Sequence, residues 1–108
     1  MKNMTITEST ISKRVASFLN LLRKHRKEIE IQYHVSYLGI FGSYIRDEQT
    51  ESSDLDLLVE FSETPSLFRF IQLEHYLSEL LGVNVDLVMK SALRPKIGEQ
   101  ILQDVIGV

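Results

Sequence analysis

Between residues 54 and 61 the side chains alternate: Leu55, Leu57, Val59 and Phe61 on one side, Asp54, Asp56, Leu58 and Glu60 on the other. A period of two is what a half-buried β-strand requires, because successive side chains leave opposite faces of a pleated backbone. Two further runs read as strands. Val35-Ser36-Tyr37-Leu38-Gly39-Ile40-Phe41 is β-branched and aromatic and stops at Gly42-Ser43. Val83, Val85, Leu87 and Met89 form the apolar half of a third strand, with Asn84, Asp86 and Val88 pointing the other way.

Around these runs the period becomes helical. Ile11, Val15, Phe18, Leu19, Leu22 and Ile29 recur at helical spacing over about residues 11–29, with Ser9 and Thr10 as N-cap residues. Pro65-Ser66 opens a second long helix over about 66–81, whose apolar side carries Leu67, Phe70, Ile71, Leu73, Leu77, Leu80 and Leu81; Gly82 suits its C′ position. Pro95 at N1 opens a last helix over about 95–106, with Ile97, Ile101, Leu102, Val105 and Ile106 as its stripe. A short helical segment over about 43–48 and a polar loop, Gln49 to Ser53, join the first two strands. The order α-β-(α)-β-α-β-α implies an α/β (α+β) fold: a small mixed sheet with helices packed against it.

The chain has 108 residues, a length that suggests one domain spanning 1–108, with a core over about 35–90. It is 44% hydrophobic and carries a net charge of −3, a balance that excludes intrinsic disorder. There is no cysteine, which removes disulfides, thiolate zinc sites and a cysteine nucleophile. Residues 1–8 are a polar lead-in without the apolar stretch of a signal peptide. No apolar run approaches the roughly 20 residues of a membrane span, so no membrane partner is expected. Mild acidity argues against direct nucleic-acid binding. The expectation is a soluble, cytoplasmic protein.

Three features carry chemistry. Gly42-Ser43, at the end of a strand, lets the backbone approach a bulky anion and offers unpaired N–H groups, and Arg46 brings a guanidinium one turn on. Asp54 and Asp56 share one face of a strand, where like charges repel until a divalent cation neutralises them; oxygen-only ligands suit Mg²⁺ or Mn²⁺. Asp86 lies in a strand that otherwise reads as core, where an unpaired aspartate is costly. Each has an ordinary reading when taken singly: a plain strand-to-helix turn, a solvated acidic pair, an aspartate bonded to a loop.

Topology ties the three together. The twelve residues from 42 to 53 are a short enough connection for the first two strands to lie antiparallel, so Gly42-Ser43 faces Asp54 and Asp56. The second connection contains a long helix and permits a parallel crossover, which sets Asp86 beside Asp56. His25, His34 and His75 lack ligand-like spacing and read as surface or boundary residues. Tyr33, Tyr37, Tyr44 and Tyr76 read as packing residues, with Tyr44 the one near enough in sequence to touch a nucleotide.

Gly42-Ser43, ten intervening residues, Asp54-Leu55-Asp56 and a later Asp86 resemble the signature of the DNA polymerase beta-like nucleotidyltransferase superfamily. The run Gly42-Ser43-Tyr44-Ile45-Arg46-Asp47-Glu48 and the small size resemble its minimal nucleotidyltransferase branch, MNT or MntA-like. Asp47 stands where that family commonly has glycine, and aspartate tolerates the left-handed conformation better than most residues.

The resemblance implies an antitoxin that transfers AMP from ATP to a tyrosine of a helical HEPN-type ribonuclease toxin, its partner in a hetero-oligomer. It further implies that Asp54 and Asp56 bind Mg²⁺, with two ions in the site, and that Asp86 completes the site and helps to deprotonate the acceptor. Gly42 and Ser43, with Arg46, hold the triphosphate on the same carry-over. Two other functions stay open: an antitoxin that only occludes its toxin, and a nucleotidyltransferase acting on a small molecule such as an antibiotic. In so short a chain little remains to build an acceptor pocket, so the acceptor is expected to arrive on another macromolecule.

Overall fold

The structure is a computed structural model that describes residues 11–108. Among these the element order is α1 (Lys13–Lys24), α2 (Arg26–Tyr33), β1 (Val35–Phe41), β2 (Leu55–Phe61), α3 (Leu67–Leu81), β3 (Val85–Met89), a 3-10 turn (Lys90–Ala92), α4 (Pro95–Asp104) and β4 (Ile106–Gly107). The strands form one mixed sheet in the order β3-β2-β1-β4. β2 pairs antiparallel with β1, Ile40 opposite Leu57 and Leu38 opposite Val59, and parallel with β3, Leu57 beside Leu87. Both pairings agree with the connection lengths: a short loop permits antiparallel neighbours, whereas the α3 crossover permits parallel ones.

The alternation in β2 does what its period requires. Leu55, Leu57 and Val59 are fully buried and join Ile40, Val85 and Leu87 in one core. Val15, Phe18, Leu19 and Leu22 of α1, Ile29 of α2 and Leu73, Leu77 and Leu81 of α3 complete that core. Leu58, which the pattern places on the outward side, is fully buried as well. β2 is therefore shielded from solvent on both faces at its middle.

Helix ends follow their local chemistry. Ser66 Oγ accepts from the Arg69 N–H at 3.2 Å, and Gly82 closes α3 in the left-handed region with φ 72°. At the other helix start, Ser12 Oγ accepts from the Val15 N–H at 3.2 Å, so Ser12 is the cap of α1. The expected caps Ser9 and Thr10, like the polar lead-in, lie outside the described residues.

Four expectations need correction. The first long helix is two helices, broken at His25: its N–H is shared between Leu21 O and Leu22 O at 3.2 Å each, and its ring Nδ1 donates to Leu21 O at 2.9 Å. Residues 43–48 form a turn closed by Ile45 N–H to Gly42 O and Glu48 N–H to Ser43 O, not a helix. The last helix stops at Asp104; Val105 is extended, and Ile106 pairs with Ile40 as a fourth strand. Ile106 is buried from that strand, while α4 itself buries no residue. Finally, Leu67 and Ile71, read as part of the apolar side of α3, are exposed.

The outer edge of β3 is closed by α3. Val85 N–H donates to Ser78 Oγ at 3.0 Å and Leu87 N–H to Glu74 Oε2 at 2.9 Å, so two edge donors are satisfied by side chains. No helix among the described residues is long and apolar enough to cross a membrane. Because Leu57 lies at the centre of the core, Leu57→Ala is expected to cost about 3 kcal/mol of stability by urea unfolding.

Candidate active site

β1 delivers the chain to the rim of the sheet at Phe41, and Gly42 turns it there with φ 84°. Glycine is required twice over. The left-handed backbone disfavours any side chain, and a Cβ at this position would collide with Asp56 Oδ2. The turn is then anchored inward by Tyr44 and Ile45, both buried. The Tyr44 ring meets Phe18 edge-on with centroids 5.7 Å apart, and the Arg14 guanidinium lies 5.5 Å from its centroid. Tyr44 is thus a packing residue of the core and is not presented at the rim. Asp47 takes φ 57°, so aspartate does occupy the left-handed position that the sequence left to it.

The three acids arrive at the same rim by register. Phe41 lies opposite Asp56 across the antiparallel ladder, and Asp56 lies beside Asp86 across the parallel one. Asp54 is the residue before β2 and is exposed; Asp56 is half-buried. Asp86 is exposed on the face opposite Val85 and Leu87, so it carries no buried-charge cost, contrary to the reading of its strand as core. Asn84, to which no role was assigned from sequence, ties down Asp54 and the residue after it: its Nδ2 donates to Asp54 Oδ1 at 2.9 Å, and its carbonyl accepts the Leu55 N–H at 2.8 Å. Its place two residues before Asp86, in phase with it in the alternating run that leads into β3, was the available signal.

Arg46 is exposed at the edge of this rim. Its Nε donates to Glu48 Oε1 at 3.0 Å and its Nη1 to Asp104 Oδ2 at 3.3 Å, and these carboxylates raise its pKa further. Glu48 and Asp104 were not singled out by the sequence; Asp104 lies far along the chain, where no spacing rule connects it to Arg46.

Burial, together with the charges of Asp86 and Asp54, pushes the Asp56 carboxyl up to about 6, with Arg46 acting in the opposite sense. Excess negative potential at a half-buried carboxylate is the environment a hard divalent cation neutralises. Among the described residues no three His, Cys, Asp or Glu side chains close into a complete metal-binding group. The donor set nevertheless fits Mg²⁺, which is ordinarily bound by one or two carboxylates together with substrate phosphates and water. The acids stand on an open rim. A cavity of about 190 Å³ lies instead toward the start of β1, lined by Ile29, Val35, Tyr37 and Gly107 among others. It is remote from the acids and carries none of them.

The sign of the pH dependence follows from a raised carboxyl. Below the ordinary value of 3.8 Asp56 is protonated folded or unfolded; between there and about 6 only the unfolded chain ionises, so stability falls as pH rises. Without divalent cations, Asp56→Asn should therefore stabilise the fold above pH 6 by about 1 kcal/mol, discounted for solvent screening at a half-exposed site, and the gain should vanish in acid. Thermal unfolding across pH, with carboxyl NMR titration of Asp56, measures both.

Comparison with known proteins identifies the family. Residues 22–108 match the model of the family described as "Nucleotidyltransferase domain". The chain is 49% identical over 89 residues to the protein adenylyltransferase MntA of Thermococcus cleftensis, covering 82% of this chain and 90% of that one. A solved structure provisionally described as a minimal nucleotidyltransferase superposes with a TM-score of 0.71 at 36% identity, over 85% of this chain and 94% of the other. The fold is also shared, at TM-score 0.55 and 20% identity, with a structure of a tri-AMPylated Shewanella oneidensis HEPN toxin in complex with an MNT antitoxin, over 87% of this chain and 67% of the matched one. The chain belongs to the nucleotidyltransferase domain family of enzymes, in its minimal, MntA-like branch.

Proposed function

We propose that this chain is a Mg²⁺-dependent adenylyltransferase that transfers AMP from ATP to a tyrosine of a partner HEPN-type ribonuclease toxin, and so acts as its antitoxin. The observation that carries the reading is the double register at Asp56, which puts Gly42-Ser43, Asp54, Asp56 and Asp86 on one open rim. An open rim suits an acceptor brought by a macromolecule, because no walled pocket is needed to hold it. The identity to an adenylyltransferase and the fold shared with an antitoxin in a toxin complex support the same substrate class.

In this reading Gly42 and Ser43 cradle the triphosphate, with Arg46 at its edge. Asp54 and Asp56 hold the Mg²⁺ ions, with Asp86 as a further ligand. Bound Mg²⁺ supplies neutralisation of the phosphates and of the attacking and leaving oxygens. Asp86 takes the proton of the acceptor hydroxyl. The hydroxyl oxygen then bonds to the α-phosphorus, the bond from that phosphorus to the bridging oxygen breaks, and pyrophosphate leaves. No covalent enzyme intermediate is required. The cytoplasm, where ATP and a ribonuclease target both occur, is the compartment this function implies.

The test is incubation of the chain with labelled ATP, Mg²⁺ and its toxin. Label is expected on a toxin tyrosine; tight binding without label would instead identify an occluding antitoxin. Asp54→Asn and Asp56→Asn should each slow transfer by about a thousandfold, the scale of several kcal/mol of lost charge neutralisation. Mg²⁺ should raise the melting temperature of the wild-type chain and not of these variants. Undiminished transfer by either variant would overturn the metal assignment.

A further inference from the structure

Asp104 is the last residue of α4, a position where the helix macrodipole disfavours an acid, and no basic residue lies in that turn to offset it. Its carboxylate is instead turned to Arg46, from which it accepts a hydrogen bond across 58 residues of sequence. A residue that breaks a local rule and gains a distant cation marks a constraint beyond helix formation. The partner on the other side of Arg46, Glu48, belongs to the same turn and is 64% exposed; Asp104 is only 26% exposed. Of the two carboxylates, Asp104 is therefore the one able to fix the guanidinium relative to the rest of the fold.

Asp104 is itself held. Val105 follows it and lies against Gly39, where a Cβ would strike Val105 Cγ2. Ile106 and Gly107 then pair with Ile40 and Gly39 of β1, the strand that ends at the Gly42 turn. Arg46 is thus referenced to β1 along two routes: its own turn, and the α4–β4 junction. Among the described residues no acceptor engages its Nη2, and its charge is felt at Asp56.

We propose that Asp104 is a positioning residue for nucleotide binding: it aims the Arg46 guanidinium so that Nη2 meets a phosphate oxygen of the nucleotide bound at the rim. The inference rests on the reading of Arg46 as a phosphate ligand and makes the α4–β4 junction part of the nucleotide site. Charge is not the contribution of Asp104, since a carboxylate beside a triphosphate is repulsive; its contribution is orientation, which a bidentate or forked contact of arginine depends on.

The experiment is a double-mutant cycle on the intact chain, reading ATP affinity by calorimetry in Mg²⁺ together with KM and kcat for transfer to the toxin. Asp104→Ala is expected to weaken ATP binding and raise KM by about fivefold with kcat within about twofold, the pattern of lost binding rather than lost chemistry. Asp104→Glu should recover most of the affinity. In the Arg46→Ala background, Asp104→Ala should add nothing. An unchanged ATP affinity for Asp104→Ala beside a weakened Arg46→Ala would overturn the proposal while leaving Arg46 in its role. So would an Asp104→Ala penalty that persists without Arg46. If Arg46→Ala itself leaves ATP affinity intact, the phosphate role of Arg46 fails and takes the proposal with it. Circular dichroism and thermal unfolding of each variant check that the fold is retained.

Discussion

The structure depends on β2 being paired on both sides, in one register from Asp56 to Glu60 against β1, beyond which Ser36 is bulged, and in one register along β3. With Leu55, Leu57 and Val59 fully buried, the strand has no freedom to slide. A shift of one residue would drive Asp54, Asp56 and Glu60 into the core and expel the leucines, exchanging several kcal/mol of apolar burial for buried charge. The same lock that stabilises the sheet therefore delivers Asp56 opposite Phe41 and beside Asp86. Site and core are two faces of one strand.

The rim concentrates features that each lower stability. Gly42 stands in a left-handed conformation against Asp56, Asp47 occupies the left-handed region without being glycine, and Asp56 is half-buried beside two like charges. Local penalties of this kind persist only where the surroundings over-determine them. Here the surroundings are Tyr44 and Ile45, buried immediately after the turn, and the fully buried leucines on either side of Asp56. Asn84 adds a hydrogen bond that fixes Asp54 without removing its charge.

Much of this was legible in the sequence. β1, β2 and α3 are found within a residue or so of where period and capping place them, because long runs of one period leave few alternatives. The convergence of Gly42-Ser43 with Asp54, Asp56 and Asp86 followed from connection lengths alone. What was not legible has physical reasons. The break at His25 has no proline or glycine to announce it and rests on a bifurcated hydrogen bond and a ring contact. Val105 and Ile106 fit the stripe of α4 as well as they fit a strand, and a two-residue strand is too short to show a period of its own. The ion pair of Arg46 with Asp104 depends on where α4 ends, which the sequence placed two residues too late.

The side-chain seal along β3 has a consequence for how this molecule meets others. With Glu74 and Ser78 occupying the main-chain donors of Leu87 and Val85, an incoming extended segment finds two of the donors it would need already taken. Two side chains of a neighbouring helix thus compete with any strand that would add to this flank.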